Sequence, residues 1–253
     1  MTNKLKYFIG NWKMFGDFSS IKIIYRINTF YSDFKKSDKK SKIIFCIPYT
    51  LIDFFSSKLN SFFISIGAQN CHHHKGYGAF TGSVSASMLR KAGAKYIILG
   101  HSENRKEGDT TQQIKKKIEF SLNEKLNIIF CIGETYKEKQ KGKTLSILKK
   151  QIKGSIDKKF NLGKIILAYE PVWSIGSGKI PRTKDITKIF KFIKNEFKKN
   201  FKTKTLPTVL YGGSVNSNNI RMFSQISEID GFLIGGASQS SKKFIDIIKN
   251  YYK

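Results

Sequence analysis

Residues 168–179 carry the residue types that a proton-transfer reaction needs. Glu170 follows an apolar run, so a carboxylate stands where a strand ends and a loop begins. Pro171 restricts the backbone just after it, while Gly176 and Gly178 leave the middle of the loop free to change its dihedral angles. Such a loop can close over a substrate and exclude water, and its backbone N–H groups can bind an anion. The same pattern is also that of an ordinary strand-to-helix loop with a solvated glutamate.

Other polar and small residues follow the remaining apolar runs of the chain. They include an amide at Asn11, an ammonium at Lys13 and an imidazole at His101. Two glycine pairs, 212–213 and 235–236, would let backbone N–H groups approach phosphate oxygens closely, and Lys13 would add a counter-charge. Together with the carboxylate, these groups fit a small phosphorylated substrate. Taken singly, a glycine pair is equally typical of a tight turn, and a lone histidine is more often structural.

Short apolar, β-prone runs alternate with amphipathic stretches along the whole chain, and this pattern predicts repeated βα units around a parallel sheet. The runs are almost uniformly apolar, so we expect strands that are buried on both faces. Eight strands with eight helices predict a closed eight-stranded parallel β/α barrel, in which functional residues lie at the C-terminal ends of the strands. The predicted strands are 7–9, 43–47, 62–68, 96–99, 127–131, 165–169, 208–211 and 232–234.

The helices between these strands are predicted from a period of about 3.6 residues. Thr183, after Pro181, is predicted to start one helix, and Ser19–Ser20 is predicted to open another. Short helices are expected around residues 51–58 and 218–223. Two apolar stripes consist of Leu145, Leu148, Ile152 and Ile156, and of Ile186, Ile189, Phe190, Ile193 and Phe197.

The length of 253 residues suits one large core, and we expect a single barrel domain over residues 1–253. A hydrophobic fraction of 40%, with 13% aromatic residues, is typical of a globular protein. Residues 1–10 lack the pattern of a signal peptide, and no apolar run approaches the ~18 residues of a membrane span. We therefore expect a cytoplasmic protein with no membrane partner.

The cysteines and the clustered histidines do not favour a metal site. Cys46, Cys71 and Cys131 are odd in number and lack a C-x-x-C spacing, so neither a disulfide framework nor a zinc site is expected. Cys131 ends an apolar run and is interpreted as a small buried residue rather than a reactive thiol. The run His72–His73–His74 adjoins Cys71, but adjacent loop residues point in different directions and no spaced carboxylate stands nearby. We expect no bound metal.

The formal net charge of +28 raises the alternative of a catalytically silent barrel that binds polyanions. Clustered basic residues would support such binding, but lysines interrupt nearly every segment, arginine is scarce and no aromatic-basic motif occurs. The lysines are interpreted as filling the solvated faces of the helices. We therefore expect no specific nucleic-acid partner, although weak non-specific association with polyanions fits the charge.

Six short motifs lie at the ends of predicted strands, namely Asn11-Trp12-Lys13, Gly100-His101-Ser102-Glu103, Cys131-Ile132-Gly133-Glu134-Thr135, Ala168-Tyr169-Glu170-Pro171-Val172-Trp173, Tyr211-Gly212-Gly213-Ser214-Val215 and Gly235-Gly236-Ala237. In their order and spacing these motifs resemble the triose-phosphate isomerase family, and the resemblance covers essentially the whole chain. It implies the TIM-barrel fold and the interconversion of dihydroxyacetone phosphate and glyceraldehyde 3-phosphate, without a cofactor or metal. It also implies a place in glycolysis and gluconeogenesis.

The resemblance assigns roles to individual residues as well. Glu170 is implied to be the base that moves a proton between neighbouring carbons, and His101, as a neutral imidazole, to donate a hydrogen bond to the enediolate oxygens. Lys13 is implied to stabilise the oxyanion and the phosphate, with Asn11 holding its geometry and Glu103 orienting it. The phosphate contacts that the family implies are Gly176, Ser214, Gly235 and Gly236.

The same resemblance implies a homodimer. The segment from Gln69 to Gly82 matches the loop that, in the family, projects into the neighbouring subunit near Asn11 and Lys13. We expect the same contact here. Repulsion between strongly positive subunits is expected to oppose assembly at low salt.

Three positions that are commonly charged in the family are neutral in this chain. Ser83, Asn104 and Thr110 stand where the family commonly has an acidic residue, an arginine and an acidic residue. We expect that these charges form one ionic network in relatives and that this chain replaces it with neutral polar groups. Leaving one buried charge unpaired costs about 3–5 kcal/mol of stability, whereas removing all the charges of a network can be close to neutral. Replacement of all three positions together is therefore expected rather than replacement of one.

A different isomerase on the same barrel, acting on a larger sugar phosphate, is a further alternative, since a fold does not fix a function. The intact hinge and lid, residues 171–179, argue against it, because in the resembling family they close over a three-carbon substrate. Intact Lys13, His101 and Glu170 argue against a barrel that has lost catalysis.

Overall fold

The computed structural model describes residues 5–34, 40–59 and 61–253. In these ranges eight parallel strands form a closed barrel, in which each strand pairs with the next along the chain and the last pairs with the first. The predicted eight-stranded parallel β/α barrel is therefore confirmed. The strands are β1 (Lys6–Asn11), β2 (Ser41–Cys46), β3 (Ser65–Ala68), β4 (Tyr96–Leu99), β5 (Asn127–Ile132), β6 (Ile165–Tyr169), β7 (Thr208–Tyr211) and β8 (Gly231–Ile234).

Ten α-helices surround the barrel in the described part of the chain, rather than the eight predicted, because the connections after β4 and β5 each hold two helices. Each connection has a threonine that caps one of its helices: Thr110 precedes the second helix after β4, and Thr135 precedes the first helix after β5. Each hydroxyl accepts the backbone N–H of the residue three positions later. Within the described ranges, no helix is long and apolar enough to cross a bilayer. The helices are α1 (Ile21–Phe34), α2 (Tyr49–Lys58), α3 (Ala86–Lys91), α4 (Ser102–Lys106), α5 (Thr111–Asn123), α6 (Tyr136–Gln140), α7 (Thr144–Ser155), α8 (Thr183–Phe201), α9 (Ile220–Ser224) and α10 (Ser241–Tyr251).

The predicted strand boundaries agree with the structure except at β3. The predicted strands 96–99, 165–169 and 208–211 coincide with β4, β6 and β7, and most of the others overlap closely. The prediction that the third strand begins at Phe62 is wrong. The N–H of Phe62 closes a turn on the carbonyl of Leu59 at 3.0 Å, and its ring lies 5.5 Å from the ring of Tyr25 in α1. This apolar stretch therefore packs against a helix instead of pairing with β2.

The helix starts also agree, with one change in the capping residue. α8 begins at Thr183 as predicted, and the short helices α2 and α9 fall in the expected places. Near Ser19–Ser20 the carboxylate of Asp17, not a serine, is the cap. It accepts the N–H of Ser20 at 3.1 Å and starts a 3₁₀ turn, Phe18–Ser20, from which α1 continues.

Strand side chains alternate between two buried layers, as expected for strands that are covered on both faces. Ile98 belongs to the layer inside the barrel, whereas its neighbours Ile97 and Leu99 belong to the layer between strands and helices. The apolar stripes of α7 and α8 complete this outer layer, although Leu145 and Ile189 are only partly buried.

The three cysteines lie in the described ranges, and all are free and buried. Burial raises the pKa of Cys71 to about 11. Burial also raises the pKa of Cys131, and the neighbouring Glu170 carboxylate raises it further. Cys131 is 0% exposed, so its interpretation as a buried residue is confirmed, and a raised pKa does not favour the thiolate form.

Candidate active site

A cavity of about 540 Å³ lies at the mouth formed by the C-terminal ends of the strands. Because the strands are parallel, residues that are far apart in sequence converge there. The cavity wall contains every residue that the sequence predicts to be catalytic or to bind substrate, namely Asn11, Lys13, His101, Glu170, Gly176, Ser214, Gly235 and Gly236. Glu103, the predicted supporting carboxylate, contacts Lys13 and lines an adjoining cavity of about 410 Å³.

Glu170 and His101 face each other with almost no exposure to solvent. Glu170 is 3% exposed and His101 is 4% exposed. Oε1 of Glu170 lies 3.1 Å from Nε2 of His101. Glu170 directly follows β6, and its backbone N–H donates to the carbonyl of Ile132 on β5 at 2.8 Å. The barrel strands therefore hold the carboxylate and the imidazole in contact.

The backbone after His101 defines the tautomer of its ring. His101 precedes α4, and the N–H of Glu103 donates to Nδ1 at 3.3 Å. Nδ1 accepts this hydrogen bond, so the ring proton is on Nε2, where it points to Glu170. Burial lowers the pKa of His101, but the carboxylates of Glu170 and Glu103 together raise it by more, so this pKa lies above its ordinary value in the substrate-free cavity.

Lys13 has a left-handed backbone conformation, with φ of 57°, which residues other than glycine adopt rarely. Two amide side chains hold it. The N–H of Lys13 donates to Oδ1 of Asn11 at 3.1 Å, and Nε2 of Gln69 donates to the Lys13 carbonyl at 3.0 Å. The Lys13 ammonium donates to Oε1 of Glu103 at 2.6 Å. Partial burial raises the pKa of Glu103, but this hydrogen bond and other nearby positive groups lower it by more.

Gln69 is a site residue for which the sequence analysis has no role. Its amide touches the Lys13 carbonyl, Oδ1 of Asn11 at 3.3 Å and the carbonyl of Cys46 at 3.1 Å. It therefore ties the end of β3 to the loop after β1. The sequence signal for Gln69 is its position directly after β3, because the other residues of the candidate site also follow strands.

Two glycines, Gly133 and Gly212, make room for Glu170. A Cβ atom on Gly133 would lie 1.7 Å from the carbonyl oxygen of Glu170, and one on Gly212 would lie 2.8 Å from its Cγ. Neither position accepts a side chain unless Glu170 moves. Gly212 therefore also clears the space that the carboxylate occupies, and the phosphate cradle at 212–213 stays a prediction.

The chain is similar to one known family over almost its whole length. The sequence model of the triosephosphate isomerase family matches residues 6–251. The chain belongs to the triosephosphate isomerase family. A triosephosphate isomerase of Zygosaccharomyces bailii is 39% identical over 247 residues, which cover 95% of this chain and 96% of the relative. That of Wolbachia pipientis wMel is 37% identical over 246 residues, covering 97% and 93%.

A solved structure of the same family has the same fold. The crystal structure of triosephosphate isomerase from Bartonella henselae matches with a TM-score of 0.89 at 32% identity, covering 98% of this chain and 99% of that one. The triosephosphate isomerase family consists of isomerases, and this chain is an enzyme of that class.

A buried carboxylate, Glu134, anchors the N-terminal end of the lid in this member of the triosephosphate isomerase family. It is 1% exposed and accepts hydrogen bonds from Nε1 of Trp173 at 2.9 Å and from the hydroxyl of Tyr169 at 3.2 Å. Nζ of Lys139 lies 3.3 Å from the centre of the Trp173 ring. Burial raises the pKa of Glu134. The sequence places Glu134 at a strand end but gives no sign of this role, because its partners come from the next strand and the lid.

A charged pair adjoins Thr110, one of the three positions at which a neutral residue is predicted to replace an ionic network of the family. Thr110 caps α5 with its hydroxyl, and the carboxylate in this region belongs to the preceding residue, Asp109. Lys117 donates to both carboxylate oxygens of Asp109, at 2.6 and 2.7 Å, and to Oδ1 of Asn70 at 3.0 Å. Lys117 is 4% exposed. Lys117 therefore joins α5 to the α4–α5 connection through an ion pair and to the loop after β3 through Asn70, and the joint replacement at Ser83, Asn104 and Thr110 stays a prediction.

Two of the three adjacent histidines pack against a phenylalanine of the same loop, and the third packs against one of them. The ring centres of His72 and His74 lie 4.5 and 4.6 Å from that of Phe80, and those of His72 and His73 are 4.4 Å apart. The N–H of His72 donates to the carbonyl of Val84 at 2.8 Å. Over the described ranges, no three His, Cys, Asp or Glu side chains are grouped so that they could hold a metal ion. The histidines contribute an aromatic cluster that shapes the loop.

Proposed function

We propose that this chain interconverts dihydroxyacetone phosphate and glyceraldehyde 3-phosphate, as a step of glycolysis and gluconeogenesis. The observation that supports this most strongly is the buried 3.1 Å contact between Glu170 and His101 in a cavity that Lys13 also lines. Removing a proton next to a carbonyl needs a base, an electrophile and exclusion of water. The test is turnover of glyceraldehyde 3-phosphate by the purified protein. A folded protein without turnover would overturn the proposal.

Glu170 acts as the base in this reaction. Its carboxylate takes a proton from the hydroxyl-bearing carbon next to the carbonyl, and the electrons of the broken C–H bond form the enediolate. The same carboxyl group returns the proton to the neighbouring carbon, so no atom is gained or lost. The Nε2–H of His101 donates to the enediolate oxygens and moves a proton between them.

Substrate binding changes the charge state that His101 favours. A substrate between the two side chains separates the imidazole from Glu170, and the proton that Glu170 takes removes its negative charge. Both changes weaken the interaction that raises the pKa of His101, while burial, which lowers this pKa, remains. His101 then acts as a neutral imidazole, and the Glu103 N–H on Nδ1 keeps the donor proton on Nε2.

Lys13 and backbone N–H groups bind the phosphate. The Lys13 ammonium, which is 30% exposed, balances the charge of the phosphate and of the developing oxyanion. Gly235 and Gly236 follow β8 and border the same cavity, so their N–H groups can approach phosphate oxygens without a side chain in the way. The N–H groups of Ser214 and of Gly176 in the lid complete the set.

Replacing Gly176 by proline is expected to lower turnover by about tenfold to a hundredfold and to release inorganic phosphate from the exposed intermediate. Gly176 has φ of 67°, which a proline ring fixed near about −65° cannot adopt, so the lid loses its conformation. Isomerisation and phosphate release are measured in one reaction. Gly142→Pro is the matched control, because Gly142 has the same φ of 67° on a loop that does not line the cavity. Unchanged kinetics in Gly176→Pro would contradict a gating role.

We further propose that the chain forms a homodimer through residues 69–82. Met14 beside the active site is fully exposed, and Tyr77 and Phe80 of the loop are 65% and 41% exposed. Exposed apolar groups of this kind are typical of a subunit interface. The adjoining cavity beside Lys13 and Met14 offers a place for the partner's loop. Sedimentation at dilute concentration is expected to show dimers that weaken at low salt, and a fully active monomer would contradict the proposal.

A further inference from the structure

Lys243 is a second lysine on the wall of the candidate active-site cavity. It lies in the first turn of α10 and is exposed. The hydroxyl of Ser240, which caps this helix, accepts the N–H of Lys243 at 3.4 Å. The next residue, Phe244, is 0% exposed, and its ring centre lies 4.9 Å from that of Phe45. The cap and the buried ring therefore hold the backbone of Lys243 at the edge of the cavity.

The position of Lys243 in α10 is unfavourable for a positive charge, because the N-terminal end of a helix dipole is itself positive. The first turn of α10 contains two lysines, Lys242 and Lys243, and no acidic residue. A residue that breaks a local rule of this kind is expected at a functional position, where another requirement decides the residue type. Only Lys243 of the two lines the cavity. The requirement that we consider for Lys243 is therefore the charge of the cavity.

The other charged groups of the candidate active site do not favour an anion. The Lys13 ammonium donates to the Glu103 carboxylate at 2.6 Å, and Glu170 adds a second carboxylate to the cavity. When His101 is neutral, as in the proposed reaction, these three charges are together net negative and oppose the entry of a phosphate dianion. In the described part of the chain, the ammonium of Lys243 forms no ion pair. Lys243 therefore supplies a positive charge that no protein carboxylate compensates.

We propose that Lys243 attracts the phosphate of the substrate into the cavity and strengthens its binding there. The proposal rests on the proposed function, because it requires a small phosphorylated ligand. Gly235 and Gly236, whose N–H groups are proposed to bind the phosphate, line the same cavity a few residues before Lys243. A charge of opposite sign in a cleft raises the local concentration of a charged ligand and its rate of association. Lys243 is not one of the groups proposed to contact the reacting carbons, so it changes binding and not the chemical step.

Replacing Lys243 by glutamine is expected to lower kcat/KM for glyceraldehyde 3-phosphate about three- to tenfold at low ionic strength, with kcat changed less than about twofold. The loss should fall below about twofold in about 1 M salt, where the Debye length is about 3 Å. Steady-state kinetics at both salt concentrations provide the measurement. A loss in kcat rather than in KM, a loss that salt does not reduce, or no loss at all overturns the proposal.

Lys242→Gln is the matched control, because it removes the same charge from the adjacent residue of the same helical turn. The net charge of +28 falls equally in both variants, and only the position of the lost charge differs. Lys242→Gln is expected to change kcat/KM less than about twofold at low ionic strength. An equal loss in both variants would mean that only the total charge of the chain matters, and the role of Lys243 would be rejected.

Two further measurements separate this role from a structural one. Lys243→Arg keeps the charge and is expected to retain at least about half of the wild-type kcat/KM. Lys243→Gln is expected to keep or raise Tm, because it removes a positive charge from the start of α10. A clear fall in Tm for Lys243→Gln, or a loss in Lys243→Arg as large as that in Lys243→Gln, would contradict the proposal.

Binding of inorganic phosphate tests Lys243 without any turnover. In calorimetric titrations at low ionic strength, Lys243→Gln is expected to bind phosphate about three- to tenfold more weakly than the wild type, and Lys242→Gln about equally well. A wild type that binds phosphate but does not turn over glyceraldehyde 3-phosphate would overturn the proposed function, and the two variants would still decide the role of Lys243. Equal affinity in both variants, or no phosphate binding by the wild type, overturns the role of Lys243.

Discussion

Replacing Glu170 by glutamine is expected to lower kcat for glyceraldehyde 3-phosphate by about 10³-fold or more, because an amide cannot accept the substrate proton. Glutamine keeps the shape of the side chain, and its oxygen can still accept from Nε2 of His101, as the carboxylate does at 3.1 Å. KM is expected to change little, since Glu170 is not one of the proposed phosphate contacts. Steady-state kinetics of both proteins from parallel preparations provide the measurement.

The fold is expected to survive this substitution. Glu170 is 3% exposed, and replacing a buried charge by a neutral group of the same shape is often neutral or stabilising. A thermal melt with an unchanged or higher Tm would therefore separate lost chemistry from lost structure. Glu103→Gln is the matched control, because it alters a second carboxylate of the site that contacts Lys13 and is expected to keep kcat within about tenfold. A Glu170→Gln variant with more than about a tenth of wild-type kcat would exclude Glu170 as the base.

The location of the candidate site could be predicted from the sequence, because the C-terminal ends of parallel strands all lie at the same end of a barrel. Once alternating apolar runs indicate a parallel barrel, residues after any two strands must lie near the same mouth. Asn11 and Glu170 are far apart in the chain, yet both line one cavity for this reason. No knowledge of side-chain contacts was needed for that step.

The contacts among site residues could not be predicted in the same way. Glu134 and Gln69 stand at strand ends like the predicted residues, but their partners are fixed by the packing of neighbouring strands and by the lid. The pair 212–213 predicts a phosphate cradle, but the pattern gives no sign that Gly212 also leaves space for the side chain of Glu170. Residue types and their spacing indicate which chemical groups are present near the site. The packing of strands and loops determines which of these groups contact one another.

The ion pair of Lys117 is a contact that residue types and spacing did not indicate. Its carboxylate partner is Asp109, which lies in the loop before α5 next to Thr110, and only the packing of that loop against the helix brings the two charges together. The stretch before β3 differs for another reason, since its apolar side chains serve the helix layer and not the sheet.

Replacing Lys13 by methionine is expected to lower kcat/KM by about 10²–10³-fold and to raise KM, because one side chain balances both the phosphate and the developing oxyanion. Methionine keeps the length of the aliphatic stem and removes only the ammonium. The backbone of Lys13 stays held by Asn11 and Gln69, so the loop is expected to keep its φ of 57°. The measurement is kcat/KM with glyceraldehyde 3-phosphate, and a loss smaller than about tenfold would exclude a major role for the charge.

The neighbouring Glu103 is expected to make the loss of kcat/KM in Lys13→Met larger than the loss that the missing ammonium alone would cause. Its Oε1 pairs with the Lys13 ammonium at 2.6 Å, and its Oε2 lies 3.6 Å from Nδ1 of His101. Without Lys13 that carboxylate stays beside His101 with less compensation, where it opposes the negative enediolate and favours the imidazolium form. The Lys13→Met/Glu103→Gln double variant is therefore expected to recover about three- to tenfold in kcat/KM over Lys13→Met.

This recovery separates two roles for Glu103. If Glu103 acts only by orienting Lys13, it has nothing to orient in Lys13→Met, and its removal relieves an unfavourable charge. If Glu103 acts on the enediolate independently, the two losses add and the double variant is the worse of the two, which would contradict the orienting role. Because Glu103 is 50% exposed, its field is screened by salt, so the recovery should shrink as ionic strength rises.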